Sequence, residues 1–346
     1  MFFFFLPSSC EQMRSCPHQL DCLSISFFRY KMVWMNQTNH PDIVLLSLSS
    51  QFEQQGLFFL IFLLVYMLCL LGNLLIVVLV HFDDHLLHTP MYFFLSHLSL
   101  VDSFFVSTTV PKILSNLISQ TKTISYRGCL TQMYFFLTLG NTDNFLLACM
   151  AYDRYVAICH PLHYTTVMSH KVCVFLVSGS WIFSSLHSLL YTLLISRLSF
   201  CNSWEIPYLF CDVYPLLDIS CSDTRLIKIL ALTEGMVDIL GPFALIVISY
   251  ACIFHTAMKV PMAGCQRKAF STCGPHLAVV VLFYGTVSCL YFQPTSAYSA
   301  QKGTFISLLY AVLTPTLNPF IYSLRNNDIM ASMARLLVKS RAVLRK

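Results

Sequence analysis

The stretch Leu57–Val80, LFFLIFLLVYMLCLLGNLLIVVLV, runs for 24 residues without a charge. A helix needs about 20 mostly apolar residues to cross roughly 30 Å of hydrocarbon, so this segment reads as a membrane span. The rest of the chain agrees. Of 346 residues, 56% are apolar and 11% charged, against about 25% charged in an ordinary soluble domain, and the mean hydropathy is +0.67. A soluble fold of this length would lack charges for its surface. The formal net charge of +5 is too small to point to nucleic acid as a partner. Scarce Gly and Pro, abundant large apolar residues and the lack of a fixed repeat period exclude disordered, collagen-like and repeat-array chains.

Six further windows extend the pattern: Met91–Val110, Cys129–Met150, Val172–Ser196, Ile229–Ile253, His276–Phe292 and Thr304–Leu324. Each satisfies its own backbone hydrogen bonds only as a helix. The fold expected is an all-α bundle of seven membrane helices with its termini on opposite sides. Arg325–Lys346 carries six basic residues against Asp328 alone, whereas Met35–Gly56 carries Asp42 and Glu53 and no base. That contrast places the C-terminus in the cytoplasm. The loops as a whole weaken it, since His81–Pro90 has no Lys or Arg and the outer loops hold seven. Two features restore it. Asn36-Gln37-Thr38 is the only N-x-S/T sequon, and glycosylation of Asn36 requires an external side. Of 15 cysteines, Cys129 opens the third span and Cys201, Cys211 and Cys221 follow in the long loop before the fifth. An oxidising exterior favours closing them, and four cysteines allow three pairings. Cys69, Cys149, Cys252 and Cys289, inside spans, read as small core residues.

The expected domains are residues 1–34, an unstructured N-terminal extension before an alternative start at Met35; 35–56, an extracellular segment; 57–324, the seven-span receptor domain; and 325–346, a basic cytoplasmic tail with a short amphipathic helix. The apolar run Phe2–Leu6 is too short for a signal-peptide core. Cys10, Cys16 and Cys22 lack a metal-binding pattern with histidine.

Charges inside spans cost roughly 2.5–3.5 kcal/mol each, so intramembrane acids are functional candidates. They are Asp102, Asp143, Glu234 and Asp238. Asp143 and Arg154 lie 11 residues apart, about three turns, and share a helix face. Asp153-Arg154-Tyr155 closes the third span at its inner end, where an acid beside an Arg can restrain it until a partner competes.

Met150–Tyr164, MAYDRYVAICHPLHY, resembles the odorant (olfactory) receptors among the rhodopsin-like G protein-coupled receptors. LHTPMYFFLSHLSLVD (Leu87–Asp102), KAFSTCGPHL (Lys268–Leu277) and PTLNPFIYSLRN (Pro315–Asn326) resemble the same family, as do Gly72-Asn73 and Ser249-Tyr250. The likeness spans about Met35–Asn327. Pro275 departs from it, standing where the family usually has Ser; near the start of the sixth helix, it is expected in the tolerant first turn.

The resemblance implies a Cys129–Cys211 disulfide and a second bridge, Cys201–Cys221. It implies a coupling switch of Asp153, Arg154 and Tyr155, with Tyr250, Asn318, Pro319 and Tyr322 as inner-end partners; Pro319 removes a backbone donor and leaves a hinge. It places the ligand in the outer half, with Phe136, Leu137, Gly140 and Asn141 on the third helix and Tyr284, Ser288 and Tyr291 on the sixth. Asp102 and Asp143 are expected to form one site that holds sodium or shares a proton. Glu234 and Asp238 lie four residues apart on one face of the fifth helix and outward of Pro242, and at least one of them is expected to tune ligand selectivity.

The implied function is binding of a small volatile odorant and activation of a heterotrimeric G protein of the stimulatory olfactory type. No enzymatic activity and no cofactor are implied. The expected location is the plasma membrane, among lipid, in olfactory sensory neuron cilia. Other seven-span functions fit less well. A retinal pigment needs a lysine in the last span, and Thr304–Leu324 has none. An inverted-repeat transporter needs matched halves. A membrane hydrolase needs a nucleophile and base or a metal triad, and His85 and His88 beside Asp83 and Asp84 lack a third ligand. A non-olfactory rhodopsin-like receptor for a small molecule is the alternative.

Overall fold

The computed structural model describes residues 42–45, 52–119, 122–200, 204–206, 208–259, 263–291, 300–323 and 326–344. The chain divides into Met1–Asp42 and Ile43–Lys346; Asp42 is the one described residue of the first unit, and every element belongs to the second.

The long helices are α1 (Phe52–Phe82), α2 (Pro90–Ile118), α3 (Tyr126–Cys159), α4 (His170–Ser196), α5 (Arg225–Lys259) and α6 (Ala263–Tyr291). Next comes α7, built from Ala300–Leu308, a π-helical turn Leu309–Leu313 and Thr314–Ser323, and then α8 (Asn327–Leu344). Six of these helices are long and apolar enough to cross a membrane. The exceptions are the tail helix α8 and α3, although the 34 residues of α3 span about 51 Å at 1.5 Å per residue. Helix α3 packs against α2, α4 and α5, and Thr138, Thr142, Asp143, Asn144, Asp153 and Arg154 on it are all buried. A helix that faces protein rather than lipid can carry polar groups, because its neighbours supply their partners.

Most helices outrun their apolar windows, since a helix does not stop where hydrocarbon does. The sixth shows the largest difference. It begins at Ala263, so Pro275 lies well inside α6 and not in its first turn. The donor missing at Pro275 therefore interrupts the hydrogen-bond ladder, as at Pro111, Pro242 and Pro319 in α2, α5 and α7.

A small sheet, unanticipated from sequence, closes the outer end. β1 (Ile43–Leu45) lies between β2 (Thr123–Ile124), antiparallel to it, and β3 (Glu205–Ile206), parallel. Ile43 and Leu45 point inward, joining Tyr126, Cys129, Tyr191, Ile206 and Cys211 in one apolar cluster. The Cys129–Cys211 disulfide, Cα–Cα 5.4 Å, ties α3 to the long outer loop within it.

At the inner end Asp83 caps the short helix Asp84–Leu87, accepting from His85 N at 3.2 Å, and its other oxygen pairs with Arg335 of α8. Hydrogen bonding from Arg335 and Ser332 holds the Asp83 carboxyl down at about 2. Tyr92 Oη reaches Asp328 Oδ2 at 2.8 Å and Asn326 Oδ1 at 3.1 Å, so α8 is tied to α2 as well.

Candidate functional site

A cavity of about 130 Å³ opens between α3, α4, α5, α6 and α7. On α3 the positions i, i+4 and i+8 face it, namely Phe136, Gly140 and Asn144, with Leu137 and Asn141 beside them. Asp238 and Ile239 enter from α5, Phe283 and Val287 from α6, Tyr310 from α7, and Asp212, Val213 and Tyr214 from the outer loop.

Gly140 permits one close approach. A Cβ built there would lie 2.5 Å from Tyr310 Oη, so the phenol reaches the α3 backbone only because that residue has no side chain. The Tyr310 ring packs against Phe105, Phe136 and Phe283 at centroid distances of 5.3, 5.9 and 5.7 Å.

The wall formed by α4 and α5 is polar. His187 Nδ1 pairs with Asn141 Nδ2 at 3.0 Å; the amide donates, so the ring proton sits on Nε2. That nitrogen lies 2.9 Å from Asp238 Oδ2 and 3.9 Å from Glu234 Oε2. The Asp238 approach falls off the line of the ring N–H, so neither atom has a hydrogen-bond partner among the described residues. Tyr191 Oη donates to Glu234 at 3.1 Å, and Asn144 Nδ2 donates to the Asp238 backbone oxygen at 2.6 Å.

Five of the expected ligand residues, Phe136, Leu137, Gly140, Asn141 and Asp238, line this cavity. Glu234 stands behind its wall, held by Tyr191. Tyr284 is buried next to it, its hydroxyl donating to Asn144 Oδ1 and its ring 4.8 Å from Phe243. Ser288 is exposed and lies away from the cavity, because the inward face of α6 runs through Phe283 and Val287, four residues apart. The side chain of Tyr291 lies outside the described residues. Sequence reading missed His187, Tyr191 and Tyr310. A histidine inside the apolar stretch of α4 was a usable signal, since an intramembrane ionisable residue is a candidate by default.

Deeper in the bundle, Asn318 Nδ2 donates to both Asp102 oxygens at 3.1 and 2.9 Å, and Asn73 Nδ2 donates to Pro315 O at 3.1 Å. These bonds join α1, α2 and α7. Gly72 lets the Pro319 ring approach α1, where an added Cβ would meet it at 3.0 Å. Asp143 is 5% exposed, and its Oδ1 has no hydrogen-bond partner among the described residues.

At the inner end Asp153 and Arg154 are both buried. Asp153 Oδ1 accepts from Tyr164 Oη of the inner loop at 2.8 Å, and burial together with that carboxylate pushes the Tyr164 phenol up from its ordinary range. Tyr155 turns toward His160, Oη to Nε2 at 3.0 Å. His276, fully buried on α6, joins three helices. Its Nε2 lies 3.0 Å from Leu147 O and must donate to it, so Nδ1 accepts from Tyr250 Oη at 2.7 Å. Tyr322 is 2% exposed, and its hydroxyl has no hydrogen-bond partner among the described residues. Near the outer end, Gln132 reinforces the disulfide, accepting from Cys211 N at 3.0 Å and donating to Thr108 O at 2.8 Å. Cys221 is disulfide-bonded; Cys201, its expected partner, and Asn36 lie outside the described residues.

The sequence profile of the olfactory receptor family matches residues 62–340. Olfactory receptor 1f45 of Rattus norvegicus is 54% identical over 302 residues, 87% of this chain and 96% of its own. Olfactory receptor 1F1 of Homo sapiens is 53% identical over 300 residues, with the same shares, and olfactory receptor 1E16 of Mus musculus is 51% identical over 308, covering 89% and 98%. A bundle of long apolar helices, a disulfide fastening α3 to the outer loop and a match across four fifths of the sequence agree, and the chain belongs to the olfactory receptor family of multi-pass, G protein-coupled membrane receptors.

Proposed function

We propose that a small volatile ligand enters the cavity beside Gly140 and shifts a pre-existing equilibrium toward a state whose inner face admits a heterotrimeric G protein of the stimulatory type. The observation that carries this reading is the continuity of polar contacts from the cavity inward. Asn144 lines the cavity, binds the Asp238 backbone and takes the Tyr284 hydroxyl, and three residues further along α3 the Leu147 carbonyl takes His276. A ligand pressing on Asn144 therefore acts on α5 and α6 together. Ligand contact is assigned to Phe136, Leu137, Gly140, Asn141, Asp238 and Tyr310, with Glu234 and Tyr284 acting behind them.

The coupling switch is Asp153, Arg154 and Tyr155 with Tyr250, Asn318, Pro319 and Tyr322. Asp102 and Asp143 share a proton or a sodium ion; the Asp143 oxygen without a donor supports this, since an ionised buried carboxylate needs one or a counter-charge. The receptor works in the lipid of the plasma membrane of sensory cilia, with Asn36 glycosylated outside and the tail inside.

Arg154→Ala tests the switch. Ligand-induced thermal stabilisation of the purified receptor should survive while the cyclic AMP response disappears. A mutant that signals at wild-type potency and surface level removes the assignment.

A further inference from the structure

We propose that the ligand of this cavity is a protonated amine on an apolar body, its ammonium docked on Asp238 with Glu234 behind. This rests on the cavity being the ligand site. Two carboxylates meet one imidazole here, His187 Nε2 lying 2.9 and 3.9 Å from their oxygens. Among the described residues no Lys or Arg lines the cavity. One imidazole can pair with only one of the two carboxylates, and among the described residues lining the cavity no cationic side chain stands ready for the other.

Hydrogen bonding is also incomplete. The Asp238 carboxylate receives no hydrogen bond from any described residue: His187 approaches off-line, Tyr191 serves Glu234, and the Asn144 amide goes to the Asp238 backbone. A carboxylate has about four acceptor sites, and a shielded one left without donors is costly. An ammonium brings three N–H donors and a positive charge; an alcohol brings one donor and a ketone or ester none.

A second group points to a ligand independently. Tyr310 is 6% exposed, and its hydroxyl, held over Gly140, has no hydrogen-bond partner among the described residues. Between Tyr310 and Asp238 the walls are Phe136, Phe283, Val287 and Ile239. The volume of about 130 Å³ is on the order of ten times the space one water needs, which suits a compact aromatic or cyclic body.

The test uses the full-length receptor in cells, read by G protein activation at matched surface staining. The probes are 2-phenylethylamine and cyclohexylmethylamine, each against the alcohol of the same skeleton, with a broad panel of neutral odorants beside them. The amines should be about tenfold or more the more potent, and Asp238→Asn should cost them about tenfold. A second readout does not depend on a variant that folds: the melting temperature of purified wild type should rise more with an amine than with its alcohol. Amines that are inactive, amines no better than their alcohols, or amine potency unchanged in Asp238→Asn would each overturn the assignment. Ile239→Trp, which fills the cavity, separates this failure from a wrong pocket. If it abolishes responses to neutral odorants while amines fail on wild type, only the amine assignment falls. If those responses persist, the ligand site itself is elsewhere.

Discussion

Gly140→Ala is a one-methyl perturbation whose sign is decided by Tyr310. In a helix interior the change alone stabilises by about 1 kcal/mol. Here the new Cβ would sit 2.5 Å from Tyr310 Oη and 3.7 Å from Phe105 Cε2. Ordinary contact begins near 3.4 Å, so the phenol must withdraw by 0.9 Å, although Phe105, Phe136 and Phe283 hold its ring on three sides. Overpacking of this kind costs about 1–3 kcal/mol, and with three neighbours resisting, the upper half of that range applies. The net expectation is a loss of about 1–2 kcal/mol, a melting temperature lower by a few degrees in purified receptor. Tyr310→Phe alone should change little, because the hydroxyl it removes bonds to nothing described. In the double variant the clash is gone and the helix preference remains, so Gly140→Ala/Tyr310→Phe should melt above wild type. Such coupling between touching residues is what a double-mutant cycle isolates. A Gly140→Ala receptor as stable as wild type would refute the close approach.

Removing Cys129 or Cys211 should abolish surface staining, because the bridge closes a separation of 82 residues and chain entropy makes that worth about 4.5 kcal/mol; normal staining of Cys129→Ser would contradict it. Asp83→Asn should loosen α8, seen as greater mobility of a spin label on Asn327–Leu344, by less than about 1 kcal/mol because both partners reach solvent. The lowered carboxyl fixes the pH window. The contribution is complete above the ordinary value of 3.8 and is lost as pH falls toward about 2. It is therefore fully present at neutral pH, and mobility in wild type that already rises between pH 7 and 5 would exclude Asp83 as the anchor.

Hydropathy made most of the helices legible, because lipid imposes a length and composition that a linear sequence displays. It was weakest at α3, whose polar face is covered by other helices, although the window Cys129–Met150 still marked the helix. Strands of two or three residues have no period, so the outer sheet left no trace. Spacing could not choose among three cysteine pairings; the family resemblance could. On the α3 side of the cavity Phe136, Leu137, Gly140 and Asn141 were legible and Asn144, at i+8, was not; helical counting fails altogether on α7. The π turn Leu309–Leu313 adds a residue to the ladder and rotates everything outward of it by about 100° relative to Asn318. Tyr310 could not be phased from the Asn318-Pro319 motif for that reason. His187 and Tyr191 sit one turn apart in an ordinary apolar window, and only the fold sets them opposite Asp238 and Glu234.

His276 offers a test of how the inner end is held closed. One imidazole, 0% exposed, accepts a hydrogen bond from Tyr250 of α5 and donates one to the Leu147 carbonyl of α3. The bond to Leu147 must break if α6 is to move away from α3, and the bond to Tyr250 breaks if α6 also parts from α5. His276→Leu keeps most of the volume and removes both. The Leu147 carbonyl still has its own helix, whereas the Tyr250 hydroxyl loses its partner, so the closed state should lose about 1–3 kcal/mol. The open state, in which these bonds are already broken, loses little. Since 1.4 kcal/mol shifts a two-state ratio tenfold, signalling without ligand should rise by about tenfold at equal surface staining, while the melting temperature falls. Both signs are needed. A general loss of packing would lower stability and signalling together, and a catch that operates only in the active state would lower basal signalling with little change in melting. Unchanged or reduced basal activity in His276→Leu would show that this histidine does not hold the inner face shut.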